Sequence, residues 1–241
     1  MCVAIYKPDS IPTPDLKTLK ACWNANPDGA GFAMYKNGSI EIHKGFMKWK
    51  DFEKAYKKYG LSTFSGPLLL HFRIATHGNI CKGNTHPFPI SNLKEELQTV
   101  DSVLKESACL IHNGILPITP SDKAISDSME LCKRLSRFDS VTQALGLLNE
   151  FLGSNKIAIM DRYGRVTIWG DWIDVGGVWF SNLIWQYFDE TNKLHQSIKY
   201  EEIFKPCGEI CPYCESRNVF KDSTYNDFYC EDCGSTWPES M

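Results

Sequence analysis

The sequence predicts an α+β layered domain followed by a small, separate cysteine module. Three observations lead there. Strand-like apolar runs stand at both ends of the first 185 or so residues, two helical segments lie between them, and half of the ten cysteines fall beyond residue 206. Strands flanking paired helices make a layered α+β domain, because each amphipathic element must bury its apolar face on another.

The elements follow in order. Residues 3–6 read as a strand that begins directly behind Cys2, and residues 15–24 as a short helix. Asn26-Pro27-Asp28-Gly29 then forms a turn: proline presets φ, Asn and Asp bond local backbone, and glycine accepts positive φ. Residues 31–35 and 40–46 are strand-like runs joined by Lys36-Asn37-Gly38-Ser39, and the Asn-Gly pair is a strong hairpin signal. Residues 50–59 read as a surface-exposed helix.

Residues 67–75 form a nearly continuous apolar run interrupted by His71 and Arg73, as expected of a buried strand that reaches a site. Residues 108–112 are a second buried strand, ending at Asn113-Gly114. Residues 121–138 and 140–152 read as two helices, the first with apolar Ile125, Met129, Cys132 and Leu135. Residues 156–160, 166–169 and 177–180 return to strand. Apolar periodicity fades over 193–206, which divides the chain into a domain over 2–192, a linker over 193–206 and a module over 207–241.

Composition narrows the function classes. The 241 residues are 43% hydrophobic and 23% charged, ordinary for a soluble domain, and the net charge of -3 gives no general pull toward nucleic acid or anionic membrane. No apolar run is long enough to span a bilayer, and the N-terminus lacks the pattern of a signal peptide. The lopsided cysteine distribution does not fit a secreted disulfide scaffold. It points to a reducing cytoplasm with the terminal cluster holding metal.

Cys2 stands out by position. Removal of Met1 leaves a cysteine bearing both a thiol and a free α-amine, whose pKa of about 7.7–8.0 suits it to take the thiol proton and later protonate a leaving amine. No histidine is then needed as base.

Four segments carry a resemblance: Met1-Cys2-Val3-Ala4, His71-Phe72-Arg73-Ile74-Ala75-Thr76-His77-Gly78, His112-Asn113-Gly114-Ile115 and Ser126-Asp127-Ser128. Asn84-Thr85-His86-Pro87 lies between the second and third. In order and spacing, over residues 2 to about 185, the chain resembles the glutaminase domain of class II glutamine amidotransferases.

That resemblance implies a four-layer αββα N-terminal-nucleophile hydrolase sandwich. It also implies a cysteine amidohydrolase that forms a glutamyl thioester on Cys2, releases ammonia and then glutamate. Arg73 would clamp the α-carboxylate of glutamine through its planar fork, and Asp127 would hold the α-ammonium. Thr76, His77 and His86 would line the glutamine pocket, although the two histidines read equally well as hydrogen-bonded structural groups. The Asn113 side-chain amide and the Gly114 N–H would form the oxyanion hole, in place of a simple turn. Two positions depart from the family pattern: Ile74 stands where an aromatic is usual, and Met129 where a glutamate is usual.

The terminal module has its own signature. Cys211-x2-Cys214 and Cys230-x2-Cys233 have the spacing of a four-cysteine zinc ribbon holding a structural Zn2+, with Cys207 either a substitute ligand or a bystander. Residues 205–241 carry three basic against seven acidic side chains, a net -4, so nucleic acid is not the expected partner of the ribbon. A protein-docking or stabilising role is expected, with Tyr213, Phe220, Tyr225, Phe228 and Trp237 available for a contact or for the ribbon's own packing.

Because nothing beyond residue 200 is long enough for a synthase, the chain reads as a stand-alone glutaminase. In this it resembles short amidotransferase-like proteins of bacteria and bacteriophages. Its ammonia would go to an unidentified acceptor or docked partner synthase. Two other readings stay open: hydrolysis of another γ-glutamyl amide, and a catalytically idle interaction protein.

Overall fold

The protein is described by a computed structural model over residues 2–75, 79–120, 122, 124–138, 140–141, 144, 146, 153–188, 207–222, 227–230 and 235–238. The chain divides into two compact units, residues 1–191 and 192–241. The first unit is mixed α+β and is built on two antiparallel sheets.

The larger sheet contains β1 (Val3–Lys7), β2 (Ala30–Lys36), β3 (Ser39–Phe46), β4 (Leu68–Phe72), β6 (Asp101–Leu104), β10 (Ile173–Val175) and β11 (Val178–Phe180), in the order β10-β11-β1-β4-β2-β3-β6. The smaller contains β5 (Phe88–Pro89), β7 (Cys109–Asn113), β8 (Lys156–Met160) and β9 (Val166–Trp169), in the order β5-β7-β8-β9.

Side-chain parity explains how these sheets stack, since successive residues of a strand point to opposite faces. Val3 and Ile5 on β1, Phe32 and Met34 on β2, and Leu68, Leu70 and Phe72 on β4 join one buried cluster. It includes Leu19 and Trp23 of α1 (Leu16–Ala25) and Phe52 and Tyr56 of α2 (Trp49–Lys58). Their alternates Ala4, Ala33 and Leu69 join a second cluster with Cys109, Ile111, Ala158 and Met160 of the other sheet. The remaining faces of β7 and β8, through Leu110, Ile157 and Ile159, pack with Met129, Cys132 and Leu135 of α4 (Asp127–Leu135). The layers therefore run helices, sheet, sheet, helices. Alanines at positions 4, 33 and 158 keep the inter-sheet face small and let the sheets approach.

Local signals set several of these elements. Asp15 caps α1 by accepting from Thr18 N at 2.8 Å. Asn37 and Gly38 both have positive φ, at 51° and 76°, as a tight hairpin between β2 and β3 requires.

Other expectations need correction. The helix expected over 50–59 is not simply surface-exposed, because Phe52, Ala55 and Tyr56 are buried. The helix expected from 121 starts at Asp127. Asp122 takes the Ala124 N–H in a turn, and Ser126 is the N-cap, accepting from Met129 N at 3.2 Å. The strand expected over 67–75 ends at Phe72. Most of the helix expected over 140–152, and the linker over 193–206, lie outside the described residues. Residues 88–104, given no element above, contain β5, β6 and α3 (Lys94–Gln98). Among the described residues no helix is long and apolar enough to cross a membrane.

The second unit contains β12 (Val219–Asp222), β13 (Asp227–Cys230) and β14 (Thr236–Pro238) as one antiparallel sheet. Cys211, Val219, Phe228, Cys230 and Trp237 form its small core, while Tyr213 is 63% exposed.

Candidate active site and metal centre

Parity and register bring the N-terminus into the gap between the sheets. Val3 pairs with Phe72, and Ala4 on the inter-sheet face pairs with His71. Cys2 and Arg73, one residue beyond each strand, continue that inner-face parity. Arg73 prolongs the ladder by donating its N–H to Gly29 O at 2.8 Å and accepting from Asp28 N at 2.9 Å. Asp28 Oδ2 also takes the Ala75 N–H at 2.9 Å, so this turn holds the chain on both sides of Ile74. The Cys2 thiol in turn lies 3.4 Å from both the N–H and the carbonyl of Ile74.

One cleft with about 350 Å³ of empty space is lined by Cys2, Arg73, His86, Gly114 and Asp127 among the sequence-predicted residues. Ile74, Asn84, His112, Ser126 and Ser128 complete its wall. Asn113 is buried and does not line this cleft. Its Nδ2 donates to Ser181 Oγ at 3.1 Å, and its Oδ1 has no partner. Thr76 and His77 lie outside the described residues.

No family model matches the chain. Over 165 residues, 61% of the chain, it is 27% identical to the glutamine–fructose-6-phosphate aminotransferase (isomerizing) of Bacteroides thetaiotaomicron, covering 24% of that protein. The chain carries homology to the class II glutamine amidotransferase domain.

Two solved structures are also similar. The glutamine phosphoribosylpyrophosphate amidotransferase of B. subtilis is 18% identical with a TM-score of 0.47, over 74% of this chain and 40% of that one. An allosteric regulatory enzyme of purine biosynthesis is 19% identical with a TM-score of 0.46, over 67% and 36%. This chain thus spans about a quarter of the length of the curated relative, and well under half of either structure.

Electrostatics around the cleft keep the Cys2 thiol protonated at neutral pH. Burial pushes the Cys2 thiol up, while the Ile74 N–H and the Arg73 charge pull it down and the Asp127 charge opposes them. Burial also holds three histidines neutral at neutral pH. His71 is held down to about 3, His86 is pushed well below the usual histidine range, and His112 is pushed down. The His86 ring lies 4.1 Å from that of His71 and 4.4 Å from that of Phe88, and neither of its nitrogens has a partner.

Several residues around the cleft carry no motif of their own. His112 bonds Ser128 Oγ and Asn155 Oδ1, each at 2.8 Å, and Asn155 Nδ2 donates to Ile115 O at 3.0 Å. Asp127 accepts from Leu116 N at 2.9 Å and Ser128 N at 2.7 Å, which fixes its carboxylate at the helix start. Asn84 Nδ2 and Arg73 Nη1 share Asn79 O as acceptor, at 3.0 and 3.3 Å. Ser181 and Asn182 bind the backbone around Cys2 from the far end of the sequence: Asn182 Nδ2 donates to Cys2 O at 2.8 Å. Of these, Asn84, His112, Asp127 and Ser128 stand in the family-like segments of the sequence, whereas Asn155, Ser181 and Asn182 carry no sequence signal.

Gly114 shows why this position tolerates no side chain. Its φ is +138°, and an added Cβ would sit 2.1 Å from Asn155 Oδ1. Gly114→Ala is expected to lower stability by about 2–4 kcal/mol through backbone strain and overlap with the His112–Asn155 pair. A denaturant midpoint within error of wild type would refute this.

In the second unit, the sulfurs of Cys211, Cys214 and Cys230 lie within 4.8 Å of one another, with Cys214 and Cys230 3.6 Å apart. Tetrahedral Zn–S bonds of about 2.3 Å place sulfurs about 3.8 Å apart, so this trio fits a zinc ion. Cys211 N donates to Ser216 O and Cys230 N to Ser235 O, both at 2.9 Å. Cys233 lies outside the described residues, and Cys207 is exposed and not part of the trio.

Proposed function

We propose that the chain is a glutamine amidotransferase or glutaminase using Cys2 as an N-terminal nucleophile, with its first unit read as an N-terminal-nucleophile hydrolase sandwich. One observation carries this reading. The Cys2 thiol shares a small cleft with Arg73 and Asp127, a guanidinium and a carboxylate suited to the α-carboxylate and α-ammonium of an amino acid. The homology supports glutamine as that amino acid.

The chemistry follows from the groups present. With Met1 removed, the α-amine of Cys2 takes the thiol proton, a role for which His71, His86 and His112, their pKa values lowered by burial, are too weakly basic. The thiolate attacks the side-chain amide carbon of glutamine. The tetrahedral oxyanion is held by the Asn113 side-chain amide and the Gly114 N–H. The C–N bond breaks as the ammonium returns its proton, ammonia leaves, and a γ-glutamyl thioester remains. Water adds to the thioester, the C–S bond breaks, and glutamate and the free thiol result. Thr76, His77 and His86 line the substrate pocket in this reading.

The ribbon is read as a structural zinc site of Cys211, Cys214, Cys230 and Cys233, which leaves no open coordination position. The ammonia acceptor is a separate synthase or other partner. Release of glutamate and ammonia from glutamine, together with the mass of the mature N-terminus, tests the central reading. An inactive protein with Met1 removed would overturn it.

Chelation is expected to unfold the ribbon beyond about residue 205 and leave the main thermal transition in place. Limited proteolysis with and without a strong chelator checks this, and collapse of both units on metal removal would contradict it.

A further inference from the structure

Ser181 lies immediately after β11 and is 1% exposed. Its N–H donates to Ala4 O at 2.9 Å, and its Oγ accepts from Ala4 N at 2.9 Å. The same oxygen meets the Asn113 amide at 3.1 Å. Ala4 belongs to the larger sheet and Asn113 to the smaller, so one hydroxyl ties the nucleophile's strand to the candidate oxyanion donor across the inter-sheet gap.

The orientation of that amide can be argued from its partners. With Nδ2 toward Ser181, the serine oxygen accepts two N–H groups, while its own proton and the buried Asn113 Oδ1 both lack partners. The oxygen and nitrogen of an amide are nearly interchangeable in shape, so their placement is decided by the hydrogen-bond network. Exchanging them lets Ser181 accept from Ala4 N–H and donate to Asn113 Oδ1. A single buried group then stays unpaired, the Asn113 NH2. Asn113 precedes Gly114 of the cleft wall without lining the cleft itself, so a developing oxyanion meets this donor only when seated substrate opens that wall.

We propose that Ser181 is a positioning residue for the amidohydrolase reaction: clamped by Ala4, its hydroxyl donates to Asn113 Oδ1 and aims the Asn113 NH2 at the oxyanion. The proposal rests on the proposed function above and adds the residue that sets the donor's orientation. Ser181 acts only through Asn113, so its effect belongs in kcat and not in substrate binding.

The experiment is a double-mutant cycle on glutamine hydrolysis. Ser181→Ala is expected to lower kcat by about 10- to 100-fold at unchanged KM, somewhat less than the 10²–10³ expected for removing an oxyanion donor outright. Ser181→Cys keeps a polar group of similar shape, slightly larger and a weak donor, and is expected to fall between wild type and the alanine variant. In an Asn113→Ala background, either Ser181 substitution should have no further effect on kcat.

Full kcat in both single variants, or losses that multiply with Asn113→Ala, would overturn the proposal. Should Ser181→Ala not fold, Ser181→Cys decides alone. The cycle presupposes that wild type turns over glutamine. A wild type without turnover would sink the underlying reading, and is thereby distinguished from a failure of Ser181 alone.

Discussion

Cys2→Ala is expected to slow ammonia release from glutamine by about 10⁴-fold or more, the scale seen when a covalent nucleophile is removed. Stability should change little, because Cys2 is only half-buried and its sulfur makes two long contacts, at 3.4 Å, to Ile74. Burial keeps the thiol protonated, so turnover needs the neutral α-amine as base. Activity should therefore fall as pH drops through about 7–8 and the amine takes up a proton. Steady-state assays from pH 6 to 9, with mass spectrometry of the N-terminus, test both parts. Turnover persisting in Cys2→Ala, or in protein that retains Met1, would defeat the mechanism.

The second large effect is acid lability. His71, His86 and His112 are buried and neutral in the folded protein, with His71 held down to about 3 and the other two below the usual 6.5. Below pH 6.5 the unfolded chain binds protons on these histidines that the folded chain refuses, so unfolding gains protons and stability falls as pH falls. Their contribution is complete above 6.5 and is lost progressively toward pH 3.

Three such groups give a slope of up to about 4 kcal/mol per pH unit, against a typical total stability of about 5–15 kcal/mol. The first unit is therefore expected to unfold near pH 4–5. Denaturant unfolding followed by tryptophan fluorescence at pH 7, 6 and 5 measures the slope, and a flat profile would contradict the prediction. His86→Phe sharpens the test. Neither His86 nitrogen has a partner, and its ring lies beside those of His71 and Phe88. Phenylalanine sacrifices no hydrogen bond and should remove about a third of the slope. Burial, and beside it the charges of His71, His112, Lys44 and Arg73, disfavour charge on His86.

How far the sequence was legible depended on the range of the interaction. The Asn37-Gly38 hairpin, the short helix expected over 15–24 and the strand behind Cys2 follow from chemistry within a few residues, and the structure has each of them. The start of α4 was misplaced because periodicity extends through residues 121–125, whereas the Asp122 turn and the Ser126 cap decide where the backbone becomes helical. The short edge strands β6 and β10 escaped notice because they are only 4 and 3 residues long and half or more of their residues are exposed, too few for a period-2 pattern to stand out.

The chemical parts are legible in the residues alone: a cysteine at position 2, Arg73, Asn113-Gly114, Asp127 and the paired cysteines at 211, 214, 230 and 233. Residue type and local spacing suffice for that, because they fix which groups can donate, accept or attack. Which of these parts meet is a property of the packed fold. The fold gathered Cys2, Arg73, Gly114 and Asp127 around one cleft and kept Asn113 out of its wall. It also brought Ser181 and Asn182, nearly 180 residues away in sequence, onto the backbone of residues 2–4. Such contacts arise from sheet register and side-chain parity across two packed layers, and no local pattern encodes them.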